Sequence, residues 1–138
     1  MPIKEERTVA ADFGERYGRS ATEATRELDR SVIGGDFGAN GYTTLAQADM
    51  LADRLALSDG DRLLDVGSGR GWPGLYLAGR TGCSVVLTDL PREAMAAARE
   101  RARREGLADR ARLVAASARC LPFRHQAFDA IVHTDVLC

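Results

Sequence analysis

Residues 63–74 read LLDVGSGRGWPG, the most informative segment of the sequence. It begins with apolar residues that are typical of a short strand buried on both faces. Gly67, Gly69 and Gly71 then alternate, and glycine permits positive φ angles and the close approach of a ligand to the backbone. Pro73 is expected in the first turn of a helix, because its fixed φ suits that position and its missing N–H would be unpaired there. The stretch therefore predicts a strand, a ligand-binding loop and a helix in succession.

The same alternation of strands and helices continues along the chain. Helices are predicted from Pro73 to Arg80 and from Pro91 to Gly106. Strands are predicted at residues 62–66, 84–88, 112–116 and 128–133. Strands that alternate with helices imply right-handed βαβ units and a parallel sheet. The predicted fold class is α/β, a Rossmann-like doubly wound parallel sheet.

The residues before the sheet are predicted to be helical. A helix over residues 20–33 would stop at Gly34 and Gly35. A second helix would start at a capping box formed by Thr44 and Gln47. Its buried face is expected to comprise the apolar residues at helical spacing, Ala48, Leu51, Ala52 and Leu55. We therefore divide the chain into an N-terminal helical lid or extension at 1–58 and an α/β domain at 59–138.

Two helical faces in the α/β part differ in composition. The helix after Pro91 has an apolar side made mostly of alanine, at Ala94, Ala98 and Ala102, which would let it pack close to the sheet. The arginine-rich run at residues 99–104 contains acidic partners at helical spacing, so we interpret it as a solvated face, with a polyanion-binding patch as the alternative.

Charge and composition exclude several function classes. The 138 residues include 19 basic and 20 acidic side chains, and this balance gives no general attraction to nucleic acid or to anionic lipid. Neither a membrane-spanning stretch nor a signal peptide is recognisable, so a cytoplasmic location is expected. Cys83, Cys120 and Cys138 are widely spaced, which predicts free thiols and no metal site.

The glycine loop is compatible with two classes of ligand. Gly69, Gly71 and Gly74 match the dinucleotide pattern GxGxxG, and Asp89 follows 20 residues after Gly69. However, Asp65 lies two residues before the first glycine of the loop. A carboxylate at this position opposes a pyrophosphate and suits a ligand that carries an ammonium group. An NAD-dependent oxidoreductase domain remains the alternative.

The pattern Asp-x-Gly-x-Gly-x-Gly at the end of a strand resembles motif I of class I S-adenosylmethionine-dependent methyltransferases. The resemblance covers about residues 60–137. It implies that Asp65 and the loop residues Gly67, Ser68, Gly69 and Gly71 lie against the methionine part of the cofactor. Asp65 would hold the α-amino group directly, through water, or by fixing the loop.

The resemblance also assigns the other end of the cofactor. Asp89, at the end of the second strand, would accept hydrogen bonds from both ribose hydroxyls, and Leu90 would lie against the adenine. Residues 116–123 read ASARCLPF, which matches the family pattern at LPF. Ser117 stands where the family has an aspartate that accepts from the adenine amino group, and Ala118 follows it at the same site. A neutral hydroxyl makes a weaker hydrogen bond than a carboxylate.

Residues 128–138, FDAIVHTDVLC, resemble motif IV, which leaves the fourth strand near the transferable methyl group. His133 and Asp135 are therefore the candidate catalytic residues, and Thr134 lies between them. We expect Trp72 to pack the helix that follows it against the sheet or, as the alternative, to help wall the cofactor. Tyr17 and Tyr42 precede the α/β domain and receive no role.

The family sheet has seven strands, and this sequence accounts for the 3-2-1-4 half. We expect a truncated, cofactor-binding half of a methyltransferase that acts on a small molecule and is inactive alone. The fourth strand would then lie at an open edge, where it could pair with a second copy in a homodimer. A non-catalytic assembly module that uses this edge is a further alternative.

Overall fold

The computed structural model describes residues 2–19, 22–39 and 41–136. Its centre is a four-stranded parallel sheet in the order β3-β2-β1-β4, which confirms the predicted topology. The strands are β1 Arg62–Val66, β2 Ser84–Asp89, β3 Ala111–Ala115 and β4 Ala130–Val132. Ser20, the predicted start of a helix, and Cys138 lie outside the described residues.

In the described residues, five helices surround or precede the sheet. They are α1 Lys4–Gly18, α2 Glu23–Val32, α3 Leu45–Leu55, α4 Gly74–Thr81 and α5 Arg92–Arg104. The capping box that begins α3 is confirmed, because Gln47 N–H donates to Thr44 Oγ1 and Thr44 N–H donates to Gln47 Oε1. No helix in the described part of the chain has the length and apolar character needed to cross a bilayer.

Several predicted boundaries differ from those in the structure. Strand β3 begins one residue earlier than expected, because Val85 N–H already donates to the carbonyl of Arg110. Strand β4 is shorter than the predicted 128–133. At its start, Asp129 Oδ2 accepts the N–H of Arg62, so a side chain takes the bond that would extend the ladder. Pro73 is the N-cap of α4 and does not lie in its first turn.

The main core lies between the sheet and helices α4 and α5. Leu63, Leu87, Leu75 and Leu77 are fully buried there. The alanine side of α5 is buried as predicted, at Ala94, Ala98 and Ala102. The expected face of α3 is also confirmed, since Ala48 and Ala52 are buried and Leu51 and Leu55 pack against the core.

One residue contradicts the solvated face predicted for residues 99–104. Arg101 is only 5% exposed, and its guanidinium carbon lies 5.4 Å from the centre of the Phe37 ring. Its Nε donates to Glu105 Oε1 at 2.7 Å. Arg101 is therefore buried against the segment before α3. Its ion pair with Glu105 and the ring of Phe37 compensate for the loss of hydration of its charge.

A second apolar cluster joins the N-terminal part to the α/β part. Trp72 stacks on Phe37 with ring centres 4.0 Å apart and packs with Ile33 and Ala48. Its Nε1 donates to the carbonyl of Thr43. The expectation that Trp72 packs its own helix against the sheet was wrong, because it holds the segment between α2 and α3. The boundary at residue 58 stays a prediction.

Candidate functional site

The glycine loop after β1 has the backbone that its sequence predicts. Gly67, Gly69 and Gly71 have φ angles of +70°, +53° and +94°. A Cβ atom at Gly67 would lie 2.5 Å from Cγ2 of Val136, and one at Gly71 would lie 2.6 Å from Cδ1 of Leu75. Both the left-handed conformation and the close packing therefore require glycine.

Hydrogen bonds from β2 fix the position of this loop. The N–H groups of Gly67 and Ser68 donate to the carbonyl of Thr88, at 2.8 and 3.0 Å. The N–H of Gly69 donates to Asp89 Oδ2 at 2.8 Å, and Leu90 N–H donates to Oδ1 at 2.7 Å. Each oxygen of Asp89 accepts one backbone bond and keeps further acceptor capacity.

Asp65 lies beneath the loop and is 1% exposed. Its Oδ2 accepts the N–H of Gly74 at 2.9 Å, so the carboxylate fixes the start of α4. Its Oδ1 is also buried, and no hydrogen-bond partner for it occurs among the described residues. Burial raises the pKa of Asp65 well above its ordinary value, the nearby Asp89 charge adds to this, and the Gly74 bond opposes it. A buried acceptor with unused capacity fits a ligand that brings a positive charge.

Asp89 opens onto a cavity of about 400 Å³ between α1 and the sheet. Burial also raises the pKa of Asp89, while the bonds from Gly69 and Leu90 N–H oppose the shift. The cavity brings together residues from five parts of the chain, including Phe13, Tyr17, Gly67, Asp89, Leu90, Ala118 and Asp135. A cavity of this volume is within the range that holds small ligands.

Ser117 lies beside this cavity, in an adjoining one that Leu90 also lines. Its hydroxyl bonds Glu6 Oε1 of α1 at 2.5 Å and accepts the N–H of Arg119. The bond from Ser117, followed by that from Ile3 N–H, lowers the pKa of Glu6. A carboxylate from α1 is thus held at the position where Ser117 replaces the expected aspartate.

The two candidate catalytic residues occupy different surroundings. Asp135 lines the 400 Å³ cavity and a smaller one over the glycine loop, which Thr134 also lines. Its Oδ2 accepts from both the N–H and the hydroxyl of Thr43, at 3.1 and 2.8 Å. His133 is exposed and does not line either cavity. The structure therefore brings Asp135, but not His133, to the cavity.

A search against known families matches residues 63–138 to the methyltransferase domain. That match covers more than half of the chain. The chain belongs to the class I S-adenosylmethionine-dependent methyltransferases. No support emerges for the oxidoreductase alternative.

Two curated methyltransferases are similar to part of this chain. Over 83 residues the chain is 41% identical to methyltransferase GfsG of Streptomyces halstedii, covering 60% of this chain and 30% of the relative. It is 38% identical over 85 residues to erythromycin 3''-O-methyltransferase of Saccharopolyspora erythraea, and this similarity covers 61% of this chain and 28% of the relative. The chain thus spans less than a third of the length of these two curated relatives.

A solved structure extends the comparison to a ligand complex. This is a methyltransferase of Geobacter sulfurreducens in complex with S-adenosylhomocysteine, 32% identical with a TM-score of 0.51. The similarity covers 54% of this chain and 30% of that one.

The sequence did not predict the part of the candidate site that α1 lines. Phe13 and Tyr17 line the main cavity and contact each other with ring centres 6.1 Å apart. Their i, i+4 spacing on a helix was a usable signal of a common face. Tyr42 is exposed and lines none of these cavities. Glu6 and Thr43 gave no local signal, because their partners lie 111 and 92 residues away.

Proposed function

We propose that this chain binds S-adenosylmethionine in the cavity between α1 and the glycine loop, as part of an enzyme that methylates a small molecule. The observation that carries the proposal is the buried Asp65 carboxylate, whose Oδ1 has no partner in the described chain. Asp65 lines neither the 400 Å³ cavity nor the smaller one over the loop, and it lies beneath the glycine loop, whose Gly69 N–H donates to Asp89 Oδ2. A cationic amino group at one end and a ribose diol at the other would satisfy both carboxylates.

Each part of the site then has a specific task. When bound, S-adenosylmethionine supplies a methyl group that its sulfonium has already activated. Asp65 with the backbone of Gly67, Ser68, Gly69 and Gly71 would hold the methionine end. Asp89 would accept from the ribose, and Leu90 and Ala118 would contact the adenine. The protein mainly has to align donor and acceptor, which can lower a barrier by about 7–11 kcal/mol.

Glu6 gives the adenine end the charge that Ser117 lacks. The Ser117 hydroxyl donates its hydrogen to Glu6, so the acceptor that remains for an adenine amino group is the Glu6 carboxylate. The Glu6 carboxyl is ionised at neutral pH, and the bond from Ser117 lowers its pKa further. We therefore propose that Ser117 positions Glu6, and that Glu6 accepts from the amino group in place of an aspartate.

The proton chemistry depends on the acceptor. A general base is needed only where the acceptor must lose a proton. Asp135 is the better placed of the two candidates because it lines the cavity next to Gly67. His133 stays a prediction, as does the role of Asp135. Substitution of each by alanine, followed by cofactor binding and activity in the longest available chain, would separate the two.

A small-molecule acceptor fits the near-neutral charge of the chain and the relative whose name specifies an erythromycin methyltransferase. The expected cytoplasmic location remains a prediction of the sequence alone. A homodimer is a further proposal, supported by Ile131, which is 58% exposed on the edge strand β4. Sedimentation of the chain and of Ile131→Lys at high concentration would test it. Two equally monomeric proteins would refute pairing through β4.

The primary test is a thermal-shift titration with S-adenosylhomocysteine, run beside NAD. A ligand at 100 times its Kd adds about 2.7 kcal/mol of stability to a folded binder. We expect a shift with S-adenosylhomocysteine only, a much smaller one for Asp89→Asn, and an unchanged one for Asp109→Asn. Asp109 is exposed in the turn before β3, so it controls for the loss of a carboxylate. A folded chain that responds to NAD, or to neither ligand, would refute the proposal.

A further inference from the structure

A second cavity, of about 580 Å³, lies between the C-terminal ends of α1 and α5 and the loop at residues 36–38. Its lining is unusual in its arginine content. We call it the arginine cleft, after Arg19, Arg26, Arg70, Arg101 and Arg104. Arg19 directly follows α1, and the others come from α2, the glycine loop and α5, so only the folded chain brings them together.

The lining of the arginine cleft contains more basic than acidic side chains. Three carboxylates also line it, Asp36, Glu100 and Glu105, against the five arginines. Glu105 pairs with Arg101, and Asp36 lies 3.8 Å from Arg30, which is outside the lining. The C-terminal ends of α1 and α5 each add the equivalent of about half a negative charge. Outside the lining, Arg19 pairs with Glu15 at 2.5 Å and Arg26 lies 4.0 Å from Glu23, so the basic excess belongs to the lining alone.

Arg101 is the residue that indicates a ligand. A guanidinium has five N–H donors, and donors this deeply buried are normally all paired. The Nε of Arg101 bonds Glu105, and its guanidinium lies over the ring of Phe37. Its Nη1 is buried without a hydrogen-bond partner in the described part of the chain. Arg101 thus holds unused donor capacity in the wall of the cleft.

Arg70 connects the cleft to the cofactor cavity. Its Nη2 donates to the carbonyls of Arg16, Tyr17 and Arg19, which closes the end of α1. Its guanidinium carbon lies 5.4 Å from the centre of the Tyr17 ring. Tyr17 lines both the arginine cleft and the 400 Å³ cavity. A ligand in the cleft would therefore contact residues that also shape the proposed cofactor site.

We propose that the arginine cleft is an anion-binding site that takes the phosphate or diphosphate group of a small molecule. The planar guanidinium fork matches the oxygens of such a group and can bind it through two parallel hydrogen bonds. The volume exceeds that of the anion alone, so an attached organic part can enter as well. The site is separate from the proposed cofactor contacts of Asp65 and Asp89.

Calorimetric titration of the 138-residue chain with sodium diphosphate, and separately with inorganic phosphate, at low ionic strength tests this proposal. Saturable binding at one site is expected for at least one of the two anions. Arg104→Gln should weaken it roughly tenfold, the equivalent of one charge-assisted hydrogen bond. Arg99→Gln is the matched control, because Arg99 is exposed on the same helix and does not line the cleft. That variant should bind within about twofold of the parent.

Three results would overturn the proposal. The first is the absence of saturable binding by either anion while circular dichroism shows a folded chain. The second is equal weakening by Arg104→Gln and Arg99→Gln, which would indicate only general charge attraction. The third is full retention of binding by the Arg26→Gln, Arg104→Gln double variant. Because the readout is anion binding, it is independent of whether S-adenosylhomocysteine binds.

Discussion

Two glycines in helix α4 should respond to alanine with opposite signs. Glycine in a helix interior costs about 1 kcal/mol relative to alanine, because it loses more backbone entropy on folding. A Cβ at Gly79 would lie 3.6 Å from Cδ1 of Leu107, an ordinary contact. Gly79→Ala should therefore raise the free energy of unfolding by about 0.5–1 kcal/mol.

Gly74 offers no such room. A Cβ there would lie 2.5 Å from Asp65 Oδ2 and 2.8 Å from Cδ2 of Leu87. Both side chains are buried and cannot swing into solvent. Overpacking costs about 1–3 kcal/mol, and loss of the Gly74–Asp65 hydrogen bond costs about 1–3 kcal/mol more. Gly74→Ala should thus lower the free energy of unfolding by about 2–6 kcal/mol, a large share of typical stability.

Urea unfolding of both variants, followed by circular dichroism, measures these changes. The same samples are then titrated with S-adenosylhomocysteine. We expect Gly79→Ala to bind like the parent, and Gly74→Ala to bind weakly even where it is folded, because Asp65 is displaced. If Gly74→Ala were as stable as Gly79→Ala, the close contact between α4 and Asp65 would be refuted.

Three further perturbations address Asp65, Glu6 and Thr43. Burial raises the pKa of Asp65 above its ordinary 3.8, so between that value and the raised one the folded chain holds a proton that the unfolded chain has lost. The free energy of unfolding must therefore fall as pH rises through this window. Asp65→Asn should flatten this fall and weaken S-adenosylhomocysteine binding. An unchanged pH profile of urea unfolding in this variant would contradict the prediction. S-inosylhomocysteine lacks the adenine amino group, so Glu6→Gln should lose most of the preference of the chain for S-adenosylhomocysteine over it. Adding Ser117→Asp to this variant should restore the preference. A preference that Glu6→Gln leaves unchanged would exclude the role of Glu6. Thr43→Val should cost about 1 kcal/mol by removing the hydroxyl bond to Asp135, whereas Thr43→Ser should cost little, as urea unfolding would report.

Local patterns predicted the sheet well. The four strands are short, apolar and separated by helices with clear stop signals, so their order follows from right-handed crossovers. The glycine loop was equally predictable, because three positive φ angles leave few alternatives to glycine. These features depend on neighbours in sequence, and this is why one sequence suffices to find them.

The features that were not predicted depend on contacts between distant residues. Arg101 lies where the helical spacing predicts a solvated face. It is buried because Phe37, which is distant in sequence, packs against it. The length of β4 depends on Asp129, whose side chain binds Arg62 at the start of β1. Glu6 lies in an acidic first turn that suits any helix N-terminus. Periodicity reports which side of a helix is apolar, but it does not report what packs against it.

The two acidic residues of the site differ in a way that favours different ligand groups. Asp89 already accepts a backbone bond on each oxygen, so a neutral donor such as a hydroxyl can join without creating an unpaired charge. Asp65 is more deeply buried and uses only one oxygen, so its ionised form is costly until a cation arrives. A ligand amino group next to Asp65 would favour that ionised form, and binding would offset the desolvation. The cofactor orientation proposed here, with the ammonium at Asp65 and the diol at Asp89, is the one in which each carboxylate meets the group it can accept at least cost.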